Sequence, residues 1–293
     1  NASYMITGGA SGFGLGVAEW MTTKNCKNLV LLSRSGTKTE EEAATVQRMR
    51  DKGVTVMLAK GSVDNQQDMD RVFKEIKDTM PPLKGIQHAA MVLDDGSIPE
   101  ITHKRYMSVF VPKAVGCWIL HEATKDMALD HFLSYSSISA IYGNPGQVSY
   151  VGANSFLDNF SHWRRAQGLP AATVNWGVIG DVGFVARSGK VGGNVDELLY
   201  KQGWNSFSLQ QATGILENVL LTNPVQRVAT DSDWEMIGEF FPHSAVSSRF
   251  AHLVNEKELS GNSSGGSGDG ALKANLLESK PAEQIDIFLG HLK

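Results

Sequence analysis

The chain has 293 residues, with 27 Lys and Arg against 31 Asp and Glu, a net charge of −4, and 42% hydrophobic and 20% charged residues. That balance excludes a disordered chain and gives no support to a polybasic binder of nucleic acid or of membrane surfaces. Glycine stands out, 30 residues or about 10% against a usual level near 7%, and two dense clusters of it need different explanations.

The first strand is predicted at Tyr4-Met5-Ile6-Thr7, and it runs directly into Thr7-Gly8-Gly9-Ala10-Ser11-Gly12-Phe13-Gly14-Leu15-Gly16 and then a helical pattern. A glycine pattern between a strand and a helix permits close backbone approach and leaves helix N-terminal N–H groups for a pyrophosphate. Thr7, Gly8, Gly9, Ser11, Gly12, Phe13 and Gly14 are therefore candidate cofactor contacts; the bland alternative is an ordinary strand-to-helix turn that needs positive φ. The second strand, residues 28–33, ends in Leu32-Ser33-Arg34-Ser35. An acidic residue here would accept from ribose hydroxyls, whereas Arg34, with Ser33 and Ser35, favours a 2′-phosphate and so NADP(H).

Further apolar runs predict strands at 54–59, 85–90, 131–136, 171–175 and 226–230, with helical spacing at 40–52 and 66–79. Continuously apolar strands alternating with helices mean a doubly wound, Rossmann-like α/β fold, a parallel sheet of six to seven strands with helices on both faces. Ser62 and Val63 follow the third strand and Ala89 closes the fourth. Four polar residues then stand out: Lys113, Ser137 at a strand end, and Tyr150 and Asn154, which share one helical face at i, i+4. A Tyr hydroxyl donates a proton near neutral pH more readily beside a cation, and Lys113 is the candidate cation. Taken singly, these residues also read as a packed Tyr, a solvated Lys and a capping Ser.

Glycines at 180, 183, 189, 192 and 193 suit a mobile substrate lid or a plain surface loop within 180–210. The second cluster, in Ser260-Gly261-Asn262-Ser263-Ser264-Gly265-Gly266-Ser267-Gly268-Asp269-Gly270, reads as a flexible linker. The expected organisation is a catalytic domain at 1–258, a Ser/Gly linker at 259–270 and a truncated helical segment at 271–293. Two cysteines make no disulfide framework, eight histidines show no zinc spacing, and no apolar stretch approaches eighteen residues. The expectation is a cytoplasmic chain without a metal site or membrane partner, and an excerpt from a longer polypeptide.

The motifs TGGASGFG, LLSRSG, HAAMVLDDG, VPKAVG, FLSYSSISAIYGNPGQVSYVGANSFLDNF and RRAQGLPAATVNWG resemble, in order and spacing, the ketoreductase domain of type I polyketide and animal-type fatty acid synthases. That family is a branch of the short-chain dehydrogenase/reductases in which Tyr-x-x-x-Asn replaces Tyr-x-x-x-Lys and the Lys comes from the helix upstream. The resemblance implies Tyr150 as general acid, Ser137 on the substrate carbonyl, Lys113 on the ribose hydroxyls and lowering the Tyr pKa, and Asn154 completing the network. It implies NADPH as cofactor and a β-ketoacyl chain on the phosphopantetheine arm of an acyl carrier domain as substrate, with neighbouring synthase domains as partners. Leu93-Asp94-Asp95 looks like the motif associated with a D-configured (3R) product, or else a turn of solvated carboxylates. Ser62 stands where the family often has Asp, which leaves Val63 to pack near the adenine, and the resemblance implies Ser62, Val63 and Ala89 as candidate cofactor contacts. The 271–293 segment resembles the start of a carrier domain. A free-standing reductase of small ketones and a silent nucleotide-binding module are the rival readings.

Overall fold

The computed structural model describes residues 1–182 and 195–254. The linker at 259–270, the carrier-like segment at 271–293 and most of the glycines of the expected lid lie outside the described residues. Two compact units are distinguished, Asn1–Met236 and Ile237 onward. Within the second, the described residues include short helices at His243–Val246 and Ala251–Val254. Both sheets described below lie within Asn1–Met236.

Seven strands form one parallel sheet: β1 (Ser3–Thr7), β2 (Asn28–Ser33), β3 (Thr55–Lys60), β4 (Leu83–His88), β5 (His131–Ser137), β6 (Ala172–Trp176) and β9 (Gln226–Ala229). Their order is β3-β2-β1-β4-β5-β6-β9. A separate three-stranded sheet joins β7 (Val178–Ile179), β8 (Trp204–Phe207) and β10 (Asp231–Ser232), with β8 central. The helices that flank the main sheet are α1 (Gly12–Thr23), α2 (Glu40–Asp51), α3 (Gln66–Thr79), α4 (His103–Thr124), α5 (Ser139–Tyr142), α6 (Val148–Ala166), and, after α7 (Val195–Lys201), α8 (Leu209–Thr222). This is the doubly wound architecture expected, with its seventh strand at the edge.

The strands read as unbroken apolar runs because both faces are covered. Leu29 and Leu31 pack into one core with Val17 of α1, Met49 of α2 and Leu216 of α8. Val30 and Leu32, one residue out of phase, enter the opposite core with Val72 of α3, Leu120 of α4 and Leu157 of α6. Helix starts follow local chemistry. Thr39 and Glu42 close a capping box on α2, and the Asn65 side chain accepts from Asp68 N–H at the start of α3. The strand expected at 85–90 lies two residues earlier, because the chain leaves the sheet after His88 to line the crevice.

Strand order reverses between β1 and β4, which are direct neighbours with Thr7 opposite His88. Connections leave β1 toward one edge and β4 toward the other, so a crevice opens at the C-terminal ends of these strands.

Candidate active site

Thr7 closes β1, and Gly8 follows at φ +70°, a conformation that side chains rarely adopt. A Cβ on Gly8 would stand 3.0 Å from the Ala89 carbonyl oxygen, and one on Gly14 would stand 2.5 Å from the Gly8 carbonyl oxygen. The turn therefore folds back on α1 with no room for side chains. Ser11, the N-cap residue of α1, makes no side-chain cap hydrogen bond, so the first turn keeps N–H groups for a ligand. The glycine cradle and the uncapped helix fit the pyrophosphate of a dinucleotide. The Phe13 ring turns inward, meeting Tyr135 at 5.4 Å and Trp176 at 5.2 Å between centroids, so what Phe13 offers a cofactor at this turn is its backbone.

At the adjoining strand ends, Arg34 and Ser35 are exposed and Ser33 Oγ accepts from Gly36 N–H at 2.9 Å. Arg34 has no ion pair among the described residues, which leaves its guanidinium open to an anion. Ser62 is spoken for, with its N–H on Asp68 Oδ2 at 2.9 Å and its hydroxyl on Asp64. Val63 is 5% exposed and sits in the core beneath α4.

The four expected catalytic residues come from three elements. Lys113 lies inside α4, Ser137 at the last position of β5, and Tyr150 and Asn154 on α6. Lys113 is 2% exposed, and its Nζ donates to the Tyr135 carbonyl at 2.7 Å and stands 5.6 Å from the centre of the Tyr150 ring. Burial brings the Lys113 ammonium down to about 7, partly offset by Asp158. Ser137 Oγ accepts from Ser139 N–H at 3.1 Å and is close to Ser139 Oγ at 3.2 Å. Asn154 Nδ2 donates to the Tyr150 carbonyl at 2.9 Å, and its Oδ1 is buried without a partner among the described residues. An orphaned acceptor on α6 marks a place for a further donor.

In the free chain burial pushes the Tyr150 hydroxyl above its ordinary value, and Ser137 and Asn154 pull it back. The Lys113 ammonium lies against the Tyr150 ring and donates to the Tyr135 carbonyl.

Behind the four lies a network that sequence reading missed. Asp158, one helical turn beyond Asn154, is buried; it accepts from Asn175 Nδ2 at 2.8 Å and Thr173 Oγ1 at 3.3 Å. Asn175 Nδ2 also reaches Ser136 Oγ at 3.0 Å. The i, i+4, i+8 spacing of Tyr150, Asn154 and Asp158 was the available signal.

The Leu93-Asp94-Asp95 segment closes the crevice from another side. Asp94 is held by Arg105, with Nη2 to Oδ1 at 2.6 Å and Nε to Oδ1 and Oδ2 at 3.0 and 3.1 Å. Asp95 Oδ2 accepts from Gln147 Nε2 at 2.9 Å, three residues ahead of Tyr150. Leu93 is half-buried. Among the described residues no helix is long and apolar enough to cross a membrane, and no group of three His, Cys, Asp or Glu side chains could hold a metal ion.

Comparison with known proteins gives a consistent pattern. The family model described as "KR domain" matches residues 2–181. The Mycocerosic acid synthase-like polyketide synthase of Mycobacterium tuberculosis is 42% identical over 183 residues, 62% of this chain and 9% of that protein. The Highly reducing polyketide synthase frbB of Dothideomycetidae sp. is 31% identical over 287 residues, 94% of this chain and 10% of that protein. The chain thus spans a tenth or less of these relatives. A solved structure titled "Structure of A1-type ketoreductase" superimposes with a TM-score of 0.79 at 30% identity, covering 87% of this chain and 53% of that one. A second, titled "Structure of A-type Ketoreductases from Modular Polyketide Synthase", gives 0.77 at 30% identity, covering 82% and 50%.

Proposed function

The chain belongs to the KR domain family, the ketoreductases of polyketide synthases, and on that premise we propose that it reduces a β-ketoacyl thioester, carried on a phosphopantetheine arm, with NADPH. The observation that carries this reading is the convergence of Tyr150, Ser137, Lys113 and Asn154 beside a glycine turn with an uncapped helix. Family membership brings a nicotinamide cofactor; the preference for NADPH is supported by the exposed Arg34 at the end of β2.

Residues 8–14 would hold the pyrophosphate, Arg34 a 2′-phosphate, and Lys113 the ribose hydroxyls. When bound, the reduced nicotinamide supplies hydride to the β-carbon. Ser137 Oγ–H donates to the carbonyl oxygen and polarises it. Tyr150 passes its phenolic proton to that oxygen as negative charge develops there, and its own raised pKa keeps it protonated beforehand. Asn154 and Asp158 hold the α6 face on which Tyr150 stands.

Asp95 fastens the Leu93-Asp94-Asp95 segment to Gln147, so this wall is fixed relative to Tyr150 and limits which carbonyl face meets the cofactor. The resemblance of Leu93-Asp94-Asp95 to the family motif supports a D (3R) hydroxyl as the product. The small share of its relatives' length that the chain covers favours a domain of a multidomain cytoplasmic synthase, with neighbouring domains and a carrier as partners.

NADPH oxidation by the purified chain, measured on carrier-bound β-ketoacyl thioesters and on free small ketones, tests this reading. Preferential turnover of the carrier-bound thioester supports it. Equal or better turnover of free ketones makes the chain a free-standing reductase, and cofactor binding without turnover makes it a silent nucleotide-binding module.

A further inference from the structure

His88, the last residue of β4, is fully buried between the glycine turn and α4. Its Nδ1 lies 2.7 Å from Thr7 Oγ1 and its Nε2 lies 3.0 Å from the backbone carbonyl oxygen of Lys113. A carbonyl can only accept, so Nε2 carries the proton and Nδ1 accepts from the Thr7 hydroxyl. Thr7 Oγ1 in turn accepts from Ala90 N–H at 3.1 Å. Every proton in this chain of bonds is thereby assigned, and a second proton on the ring would set Nδ1–H against Thr7. Burial and the Lys113 charge bring the His88 ring down to about 4, consistent with a neutral imidazole at working pH.

The carbonyl that His88 holds belongs to Lys113. At Gly116, one turn further along α4, a Cβ would stand 2.8 Å from Val63 Cγ1, so glycine lets the helix lie this near Val63, while the His88 ring stands at an ordinary van der Waals distance, 3.5 Å from the same position. The two ends of the imidazole thus tie the residue before the glycine turn to the backbone of the catalytic-site lysine.

We propose that His88 is a positioning residue, which registers α4 against the glycine turn and so sets where the Lys113 ammonium stands relative to the cofactor site and the Tyr150 ring. The proposal rests on the reading of Lys113 and Tyr150 given above. His88 touches neither substrate nor cofactor; it acts through the Lys113 backbone. The charged or titratable groups facing Lys113 and Tyr150 are Asp158 of α6, Cys117 of α4 and Asp95 of the loop before α4, and His88 changes none of them.

The test compares His88→Asn, His88→Gln and Lys113→Met in the full chain. It reads the NADPH Kd by protein fluorescence, the melting temperature, and kcat and KM on a β-ketoacyl thioester. His88→Asn keeps a partner for Thr7 and loses the reach to Lys113. Its kcat is expected to fall as in Lys113→Met, about tenfold or more, with KM and the NADPH Kd changed by less than about threefold. His88→Gln still offers an N–H to the Lys113 carbonyl and is expected to return kcat to within about threefold of wild type.

A folded His88→Asn with wild-type kcat overturns the proposal, as does His88→Gln behaving like His88→Asn. If His88→Asn does not fold, Gly116→Ala carries the test: the added methyl presses α4 against Val63, and kcat must fall with the NADPH Kd kept within about threefold. If Lys113→Met itself leaves kcat unchanged, the assignment of Lys113 fails whatever His88 does. If Lys113→Met lowers kcat and the His88 variants do not, the His88 proposal alone falls.

Discussion

Lys113 Nζ donates a 2.7 Å hydrogen bond to the Tyr135 carbonyl while standing 5.6 Å from the centre of the Tyr150 ring. A buried ammonium with one neutral acceptor is poorly compensated, and the energetic consequence is measurable. Burial holds Lys113 down to about 7 against an ordinary 10.5, so between these values the unfolded chain binds more protons than the folded one. The penalty is full below pH 7 and relieved as pH rises toward 10.5. Lys113→Met is therefore expected to raise stability at pH 7 by a few kcal/mol while lowering catalysis, and its advantage over wild type should vanish near pH 10. Denaturant midpoints at pH 7 and 10 check this; an advantage that does not shrink with pH contradicts it.

Gly14 sits with its Cβ position 2.5 Å from the Gly8 carbonyl oxygen, a distance no side chain tolerates. Gly14→Ala must push α1 away from the turn, an overpacking strain of about 1–3 kcal/mol. A lower melting temperature together with an NADPH Kd raised about tenfold or more is expected. Calorimetric titration on the folded fraction reads the second effect, and unchanged affinity removes the turn from the cofactor site.

Arg34 is exposed at the end of β2, beside Ser33 and Ser35. A charge-assisted contact to a 2′-phosphate contributes about 1.5–3 kcal/mol, so Arg34→Ala should weaken NADPH binding roughly tenfold to a hundredfold. NADH binding should not change. Titrations with both cofactors decide it: equal losses, or none, take Arg34 out of cofactor selection.

Asp94 and Asp95 are adjacent but differently employed. Hydrogen bonds from Arg105 hold the Asp94 carboxyl below its ordinary value, so the stability it contributes is present above that value and lost as pH falls through the lowered one. The pair is partly exposed, so Asp94→Asn should change the melting temperature little at pH 7. Asp95→Ala frees Gln147 and is expected to raise the fraction of the minor hydroxy enantiomer. Chiral chromatography of the product from each variant separates the two roles; an unchanged ratio in Asp95→Ala argues against a steering wall.

The sheet was legible because strands buried on both faces announce themselves, as Leu29 to Leu32 do, and because Tyr150 and Asn154 share a helical face by simple periodicity. The β7, β8 and β10 sheet was not. Trp204–Phe207 is a four-residue strand whose Trp204 and Phe207 are buried by residues distant in sequence, and no local pattern announces such a strand. The roles of His88 and Asp158 were hidden for the same reason: each acts through partners 15 to 81 positions away. The raised pKa of Tyr150 depends on burial, which spacing alone does not reveal.

The most direct measurement is NADPH oxidation on a carrier-bound β-ketoacyl thioester by wild type and Tyr150→Phe, with cofactor affinity determined for both. If Tyr150 is the proton donor, Tyr150→Phe binds NADPH within about threefold of wild type and loses roughly a hundredfold to ten-thousandfold in kcat. Equal turnover by the two proteins would contradict the assignment.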